Sequence, residues 1–300
     1  MPNPTVCVLL PTFNGEKYLK QQLESVLNQE NVKIKLLVQD DSSTDKTLEI
    51  LSEYRDKLII FHSSKNQGTT KTLIELLGRV DDEDYLAFCD QDDIWKNNHL
   101  ISSIRELSKF AITEPVMNFP VYEFIDEQSQ SIGIRVKRKR IGLANSLVEN
   151  PAIGCGIVIN RAGIDLIKQI QFDHQLFIDQ QLYFLFSNLG SVNQCSDITL
   201  KYRLHGLNQV GVRNLNNSIL KIRRIFIDNS LRNTRIALNR FAEVNSSRFT
   251  NLMKGIPGKH FDSLNGHFLT RFKYLLKPVF RREKWWDQVI FQALIFLGKY

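Results

Sequence analysis

The first hundred residues alternate between short apolar runs and longer stretches in which apolar residues recur every three or four positions. "TVCVLLPTF", "IKLLVQDDSS", "KLIIFHSS" and "YLAFC" open on apolar runs, short enough to be buried strands. Between them, "GEKYLKQQLESVLNQE" sets Tyr18, Leu19, Leu23, Val26 and Leu27 at helical spacing, which gives one apolar face. "STDKTLEILSEYRD" begins with Ser43, Thr44 and Asp45, whose side-chain oxygens suit a helix N-cap. "GTTKTLIELLGRV" repeats the pattern. The order β-α-β-α-β-α-β predicts an α/β fold: a mostly parallel sheet with helices on both faces and its ligands outside the carboxyl ends of the strands.

After residue 100 the periodicity weakens. "LISSIRELSKF" is a helix, and "VMNFPVYEFID" is a strand whose pairing is limited by Pro115 and Pro120. "RVKRKRIG" reads as a basic loop. In "NPAIGCGIVINRAGIDLIKQI", Gly154 and Gly156 flank Cys155 ahead of a strand-to-helix step, where glycine serves a tight bend or a backbone that approaches a ligand. "FDHQLFIDQQLYFLFSNLG" is a helix ending at Gly190, with Asp179 in its N-terminal half. "VNQCSDITLKYRLHGLNQVG" is a last strand running into a polar loop.

Composition adds two things. The 43% hydrophobic and 24% charged content over 300 residues is that of an ordinary globular chain with ample core. The net charge of +7 is unevenly spread: residues 214–300 hold 16 Lys and Arg against 5 Asp and Glu, whereas residues 1–213 hold 23 against 27. The expected division is therefore a mildly acidic domain over 1–213 and a basic amphipathic helical tail over 214–300. The four cysteines, Cys7, Cys89, Cys155 and Cys195, are widely spaced without metal-site patterning, which suits reduced thiols in the cytoplasm. "MPNPTVCVLL" lacks the basic region and length of a signal peptide or membrane span.

Candidate chemistry sits on one rim of the predicted sheet. Asp40 and Asp41 end the second strand, and Asp90, Asp92 and Asp93 follow the fourth. Like charges gathered at strand ends are expected where a cation or ligand offsets their repulsion. The "DDED" run at residues 81–84 lies on the opposite rim and reads as a solvated turn.

Taken in order, "PTFNGEKYL", "QDDSSTDKT", "NQG", "FCDQDDIW", "IGCGIVINR", "IDQQL" and "YRLHGLNQVG" resemble the inverting, nucleotide-sugar-dependent glycosyltransferases of family 2, and their bacterial rhamnosyltransferase-like members in particular. The resemblance spans about residues 5–212. It implies the GT-A fold and transfer of rhamnose or a hexose from a dTDP- or UDP-linked donor to a saccharide acceptor, lipid-linked, in bacterial surface polysaccharide synthesis (capsule, O-antigen or cell-wall glycan). It further implies that Asp92 binds Mg²⁺ or Mn²⁺ directly, with Asp90 supporting the metal or the ribose and His205 near the metal or pyrophosphate. Hard cations of this kind take carboxylate and phosphate oxygens, and they stabilise a departing diphosphate. Pro11, Thr12 and Phe13 would form the turn against base and ribose, with Asn14, Gln67, Gly68 and Gln91 completing the nucleotide site. Asp41 would meet the base edge, and Arg203 and Gln209 the diphosphate or donor sugar. Asp93, Trp95, Gly154 and Cys155 would face the transferred sugar or the acceptor. Asp179 stands where the family carries its general base, and Asp173 and His174 are the alternatives.

The tail interleaves Arg223, Arg224, Arg232, Arg235 and Arg240 with aliphatic residues and later pairs Trp285 with Trp286. Two readings follow: a helix lying on an anionic membrane, which would hold the enzyme at the inner face of the cell membrane, or a helical appendage that packs on the domain or forms a homodimer. Two other functions were weighed. A haloacid-dehalogenase-type phosphatase also has an aspartate pair after a strand, but there the motif belongs to the first strand. A nucleic-acid-binding protein would use the basic tail, yet no binding motif accompanies it and the acidic rim argues for no nucleic-acid partner.

Overall fold

The computed structural model describes residues 2–134, 137–146, 149–206, 230–247, 288, 289 and 292. Strands β1 (Thr5–Thr12), β2 (Lys33–Asp40), β3 (Ile59–His62) and β4 (Tyr85–Phe88) alternate with helices α1 (Leu19–Leu27), α2 (Thr47–Glu53) and α3 (Thr69–Leu77). The second half carries β5 (Ile94–Trp95), α4 (His99–Leu107), β6 (Val116–Ile125), β7 (Ser131–Ile134), α5 (Leu143–Ser146), β8 (Val158–Asn160), α6 (Arg161–Ile167), α7 (Ile178–Leu189) and β9 (Ser191–Arg203). A further helix, α8, spans Ser230–Val244.

One sheet runs in the order β3-β2-β1-β4-β8-β6-β9-β5, with β7 on the side of β6. The first four strands are mutually parallel. The rest mixes directions, with β8 antiparallel to both β4 and β6, and β6 parallel to β9. Because β1 leads to β2 on one side and β4 lies on the other, the strand order reverses between β1 and β4. That switch point opens a crevice at the strand ends.

Strand β1 separates two cores. Cys7 and Leu9 face one, with α3, α6 and α7; Val6, Val8 and Leu10 face the other, with α1 and Trp95. All five are fully buried, and their strict alternation is the period of a strand covered on both faces. Pro120 sits where the pairing of β6 with β9 shifts register, between Phe119 and Val121. The missing N–H thus falls at an irregularity of the ladder, which lets an internal strand tolerate proline.

Three expectations change. The helix expected from Phe172 begins only at Ile178, so Asp179 lies in its first turn. The acidic run before β4 is not merely solvated: Glu83 is buried against Lys35 at 2.7 Å, and Asp84 accepts from the backbone N–H of Thr5 at 2.7 Å. Part of the expected tail belongs to the core, because Leu238, Phe241 and Ala242 of α8 are buried with Phe184 and Leu185 of α7. The side chain of Asn245 fastens this end of the helix, accepting from Gln171 N at 2.8 Å and donating to Gln171 O at 3.0 Å.

Gly156 precedes β8 with φ +83, and a Cβ there would lie 2.8 Å from Leu200 Cδ1 and 3.0 Å from His99 Cε1. Both neighbours are fully buried. Gly156→Ala should therefore lose about 1–3 kcal/mol of stability through overpacking and backbone strain. Urea unfolding reads this directly, and an unchanged midpoint would mean that the surroundings yield.

Candidate active site

The crevice is built from three loops stitched by side chains. At the end of β1, Asn14 takes a left-handed turn at φ +46; its N–H donates to Ser43 Oγ and its Oδ1 accepts from Thr44 N. Gly15 N donates to Thr47 Oγ1 at 2.8 Å. Gln91 clasps the same turn: Phe13 N donates to its Oε1, and its Nε2 donates to Phe13 O, both at 2.9 Å. A Cβ on Gly15 would stand 2.5 Å from Gln91 Oε1, so glycine is required for that clasp. Pro11 and Thr12 are buried in β1, whereas Phe13 is 42% exposed and free to present its ring.

The second acidic pair is inward-facing. Asp40 accepts from Thr12 Oγ1 and from Ser43 N. Asp41 is 3% exposed and accepts from the backbone N–H groups of Gln67 and Gly68 at 3.0 and 2.8 Å. In this arrangement Asp41 orders the loop that opens α3, where Gly68 has φ +88. The side chain of Gln67 continues the network, donating to Ser63 Oγ and Glu75 Oε2.

The third loop, after β4, holds the carboxylates. Ligand atoms of Asp90, Asp93 and Cys155 lie within 4.8 Å of one another. Like charges this close repel, which adds to the cost of burying them. The ionisations follow suit. Burial, then Asp92 and Asp179, push the Asp90 carboxyl up to about 7. Burial, then Asp92 and Asp90, raise Asp93 well above the carboxylate range. One oxygen of Asp93 accepts from Arg203 N at 2.8 Å, while the other is buried without a hydrogen bond. An orphaned buried oxygen beside crowded carboxyls fits an oxygen-preferring divalent cation. The Cys155 thiol, raised mainly by burial and then by Asp93, stays protonated and is the poorest donor of the set.

The three residues expected to hold a metal divide. Asp90 belongs to that cluster, whereas Asp92 Oδ2 and His205 Nε2 pair with each other at 2.7 Å. His205 in turn stacks on Tyr18, with ring centroids 5.1 Å apart. Asp179 joins from the other half of the sheet. Its Cβ is 3.9 Å from the Cβ position of Gly154, and its charge is felt by Asp90. Burial raises the Asp179 carboxyl to about 6, against opposing hydrogen bonds from Gln180 N–H and Asn150. The alternative Asp173 is engaged elsewhere, with Arg240 and Gln175 N–H outweighing burial to hold it below the ordinary range. His174 is exposed, and Gln209 lies outside the described residues.

Two residues expected to meet the donor stand differently. Trp95 is 1% exposed, its ring packed 4.5 Å from His99 in the core. Arg203 is also 1% exposed, and its guanidinium bonds Asp92 O, Asp126 O, Glu127 O, Ser129 Oγ and Gln21 Oε1 while lying over Tyr18 at 4.5 Å. It clamps the metal-acid loop to α1 and to the turn between β6 and β7. Sequence reading missed Tyr18, Gln21 and Asn150. Gln21 lies 182 positions from Arg203, and no local pattern marks such a pair.

An α/β sheet with carboxylates crowded at its switch point is the framework of a nucleotide-sugar transferase. Residues 7–163 match the model of "Glycosyl transferase family 2", and the chain belongs to that family. It is 31% identical over 216 residues to the UDP-Glc:alpha-D-GlcNAc-diphosphoundecaprenol beta-1,3-glucosyltransferase WfgD of Escherichia coli, covering 68% of this chain and 79% of that one. It is 28% identical over 212 residues to an uncharacterized glycosyltransferase of Rickettsia typhi, of whose length it spans 65%. The fold is shared with the crystal structure of S. aureus TarS 1–349 in complex with UDP-GlcNAc, at a TM-score of 0.56 and 15% identity over 98% of this chain and 88% of that one. The expected GT-A architecture is therefore present.

Arg203→Lys keeps the charge but cannot span the same five acceptors. Leaving buried carbonyls unpaired should cost about 2–5 kcal/mol, read by urea denaturation. A variant as stable as the parent would show that the clamp contributes nothing.

Proposed function

We propose that the chain is an inverting glycosyltransferase that moves a hexose or rhamnose from a uridine- or thymidine-diphosphate donor to a saccharide acceptor carried on a lipid diphosphate. The observation that carries this reading is the meeting of Asp179, from the mixed half of the sheet, with Asp90 and Asp92 at the β1/β4 crevice. Family membership and the lipid-linked acceptor in the name of the E. coli relative support it.

The nucleotide lies across the β1 and β2 ends, with its base and ribose against Phe13 and the Asp41 loop. Asp90, with Asp92 beside it, would hold Mg²⁺ or Mn²⁺, which would supply positive charge to the departing diphosphate. Asp179 accepts the proton of the acceptor hydroxyl as that oxygen bonds to the anomeric carbon. The bond from the anomeric carbon to the diphosphate breaks on the opposite face, so the configuration inverts. A base raised to about 6 is ionised near neutrality yet more basic than an ordinary aspartate. His205 orients Asp92 through their 2.7 Å contact.

Calorimetry of the full chain against UDP- and dTDP-sugars, with and without divalent cation, tests the reading. Failure of every nucleotide sugar to bind would overturn it. Asp179 is protonated and inactive below its pKa, so the transfer rate should rise with pH through about 6 and level above it. Asp179→Asn should abolish that limb and lower transfer by about 10²–10⁴-fold while donor affinity holds. A near-parental rate in the variant would move the base elsewhere.

The domain reading becomes a catalytic unit that includes α8, followed by a basic segment that rests on an anionic membrane. Support comes from the 10 basic against 3 acidic residues over 245–300; among the described residues no helix is long and apolar enough to cross a membrane. Trp285 and Trp286 lie outside the described residues. Adsorption to anionic vesicles should exceed that to neutral ones and fall with salt. Equal, negligible adsorption with a tail-dependent dimer would favour self-association instead.

A further inference from the structure

The aromatic residues of β6 and β9 are not used by the donor chemistry, yet they adjoin the carboxylates. Register pairs Phe124 with Tyr202 across β6 and β9, and with Gly133 across β6 and β7. Gly133, Phe124 and Tyr202 therefore form one row on one face of the sheet, and Tyr122 shares that face two residues earlier. The rings touch one another: Tyr122 and Phe124 at 5.2 Å and 90°, Tyr122 and Tyr202 at 5.6 Å, Phe124 and Tyr202 at 6.1 Å. Tyr122 is buried beneath, while Phe124 and Tyr202 are only partly covered. At the end of the row, Gly133 contributes no side chain, and a Cβ there would meet nothing within 4 Å.

This row runs up to the reaction centre. Arg203, the residue after Tyr202, donates its N–H to Asp93 Oδ1 at 2.8 Å. On the other side of β9, β5 pairs Ile94, the residue after Asp93, with Lys201, the residue before Tyr202. The nucleotide occupies the β1 and β2 side of the crevice, which leaves the β6 and β9 side for the second substrate.

On the reading of the chain as a glycosyltransferase, we propose that Phe124 and Tyr202, floored by Tyr122, form the platform on which the sugar ring of the acceptor lies. A pyranose has a face of C–H groups rimmed by hydroxyls. The electron-rich face of an aromatic ring attracts those hydrogens, and the rim is left to polar neighbours. The empty position at Gly133 gives the remainder of a glycan a way out across β7. Stacking would hold the acceptor ring at the Asp93 side of the carboxylate cluster without consuming any group that the donor needs.

The test uses the full chain loaded with UDP and Mg²⁺ and titrated with methyl glycosides of glucose, N-acetylglucosamine, galactose and rhamnose. Ring signals of Phe124 and Tyr202 are followed by NMR and assigned through Phe124→Leu and Tyr202→Phe. At least one glycoside should shift both rings saturably, and Phe124→Leu should weaken its binding about two- to tenfold with UDP affinity unchanged. Glycosides that leave both rings unmoved in the UDP-bound protein would overturn the platform alone, as would unweakened binding in Phe124→Leu; a tail segment or second copy covering the rings would give the first result. If UDP does not bind, dTDP takes its place in the same titration; failure of both nucleotides to bind would remove the proposed donor chemistry and the platform with it.

Discussion

Crowding of like charge at the β1/β4 switch point is the constraint around which the rest of the molecule is arranged. Asp90, Asp92 and Asp93 follow one strand within four positions, and Asp179 is brought in from another helix. Left to themselves, such groups would push the loop apart or simply take up protons. Backbone bonds anchor its root, where Cys89 N donates to Leu9 O at 3.0 Å. Gln91 then ties it to the β1 turn and Arg203 grips it from β9, so burial and then charge repulsion appear as raised pKa values rather than as displacement. The crowding that costs stability is also what would make a cation welcome there.

How far this was legible in the sequence depends on the range of the interactions. The β-α alternation of residues 5–88 follows from local periodicity, and its parallel sheet follows from the need for crossovers. The Asp90-x-Asp92 spacing was equally local. β5 and β7 escaped because two and four residues carry too little pattern, and β7 is exposed along its whole length. The start of α7 at Ile178 was missed because Phe172 and Leu176 continue an apolar spacing that the chain does not use helically. Arg203 looked like a diphosphate ligand since an arginine in a motif normally faces charge. Its five acceptors all lie 74 to 182 positions away in sequence, and only folding assembles them. Asp41 likewise reads as a free acid until the Gln67–Gly68 loop closes on it.

The basic tail shows the same limit from another direction. Arginines interleaved with aliphatic residues describe an amphipathic helix but not what its apolar face meets. In α8 that face meets α7, and Arg240 bonds the Asp173 carboxylate. Asp173 is thereby held in an ion pair with a helix that lies far from it in sequence.

The two halves of the sheet divide the chemistry between them. The parallel half, with its reversal of strand order, supplies the turns and crowded carboxylates of the crevice; the mixed half supplies Asp179 and the surface beside it. Their meeting lifts both acids above the ordinary carboxylate range: burial raises Asp179 to about 6, and burial together with Asp92 and Asp179 raises Asp90 to about 7. Under the proposed function, a cation bound through Asp90 would compete with that carboxyl's proton, so donor loading would be coupled to pH.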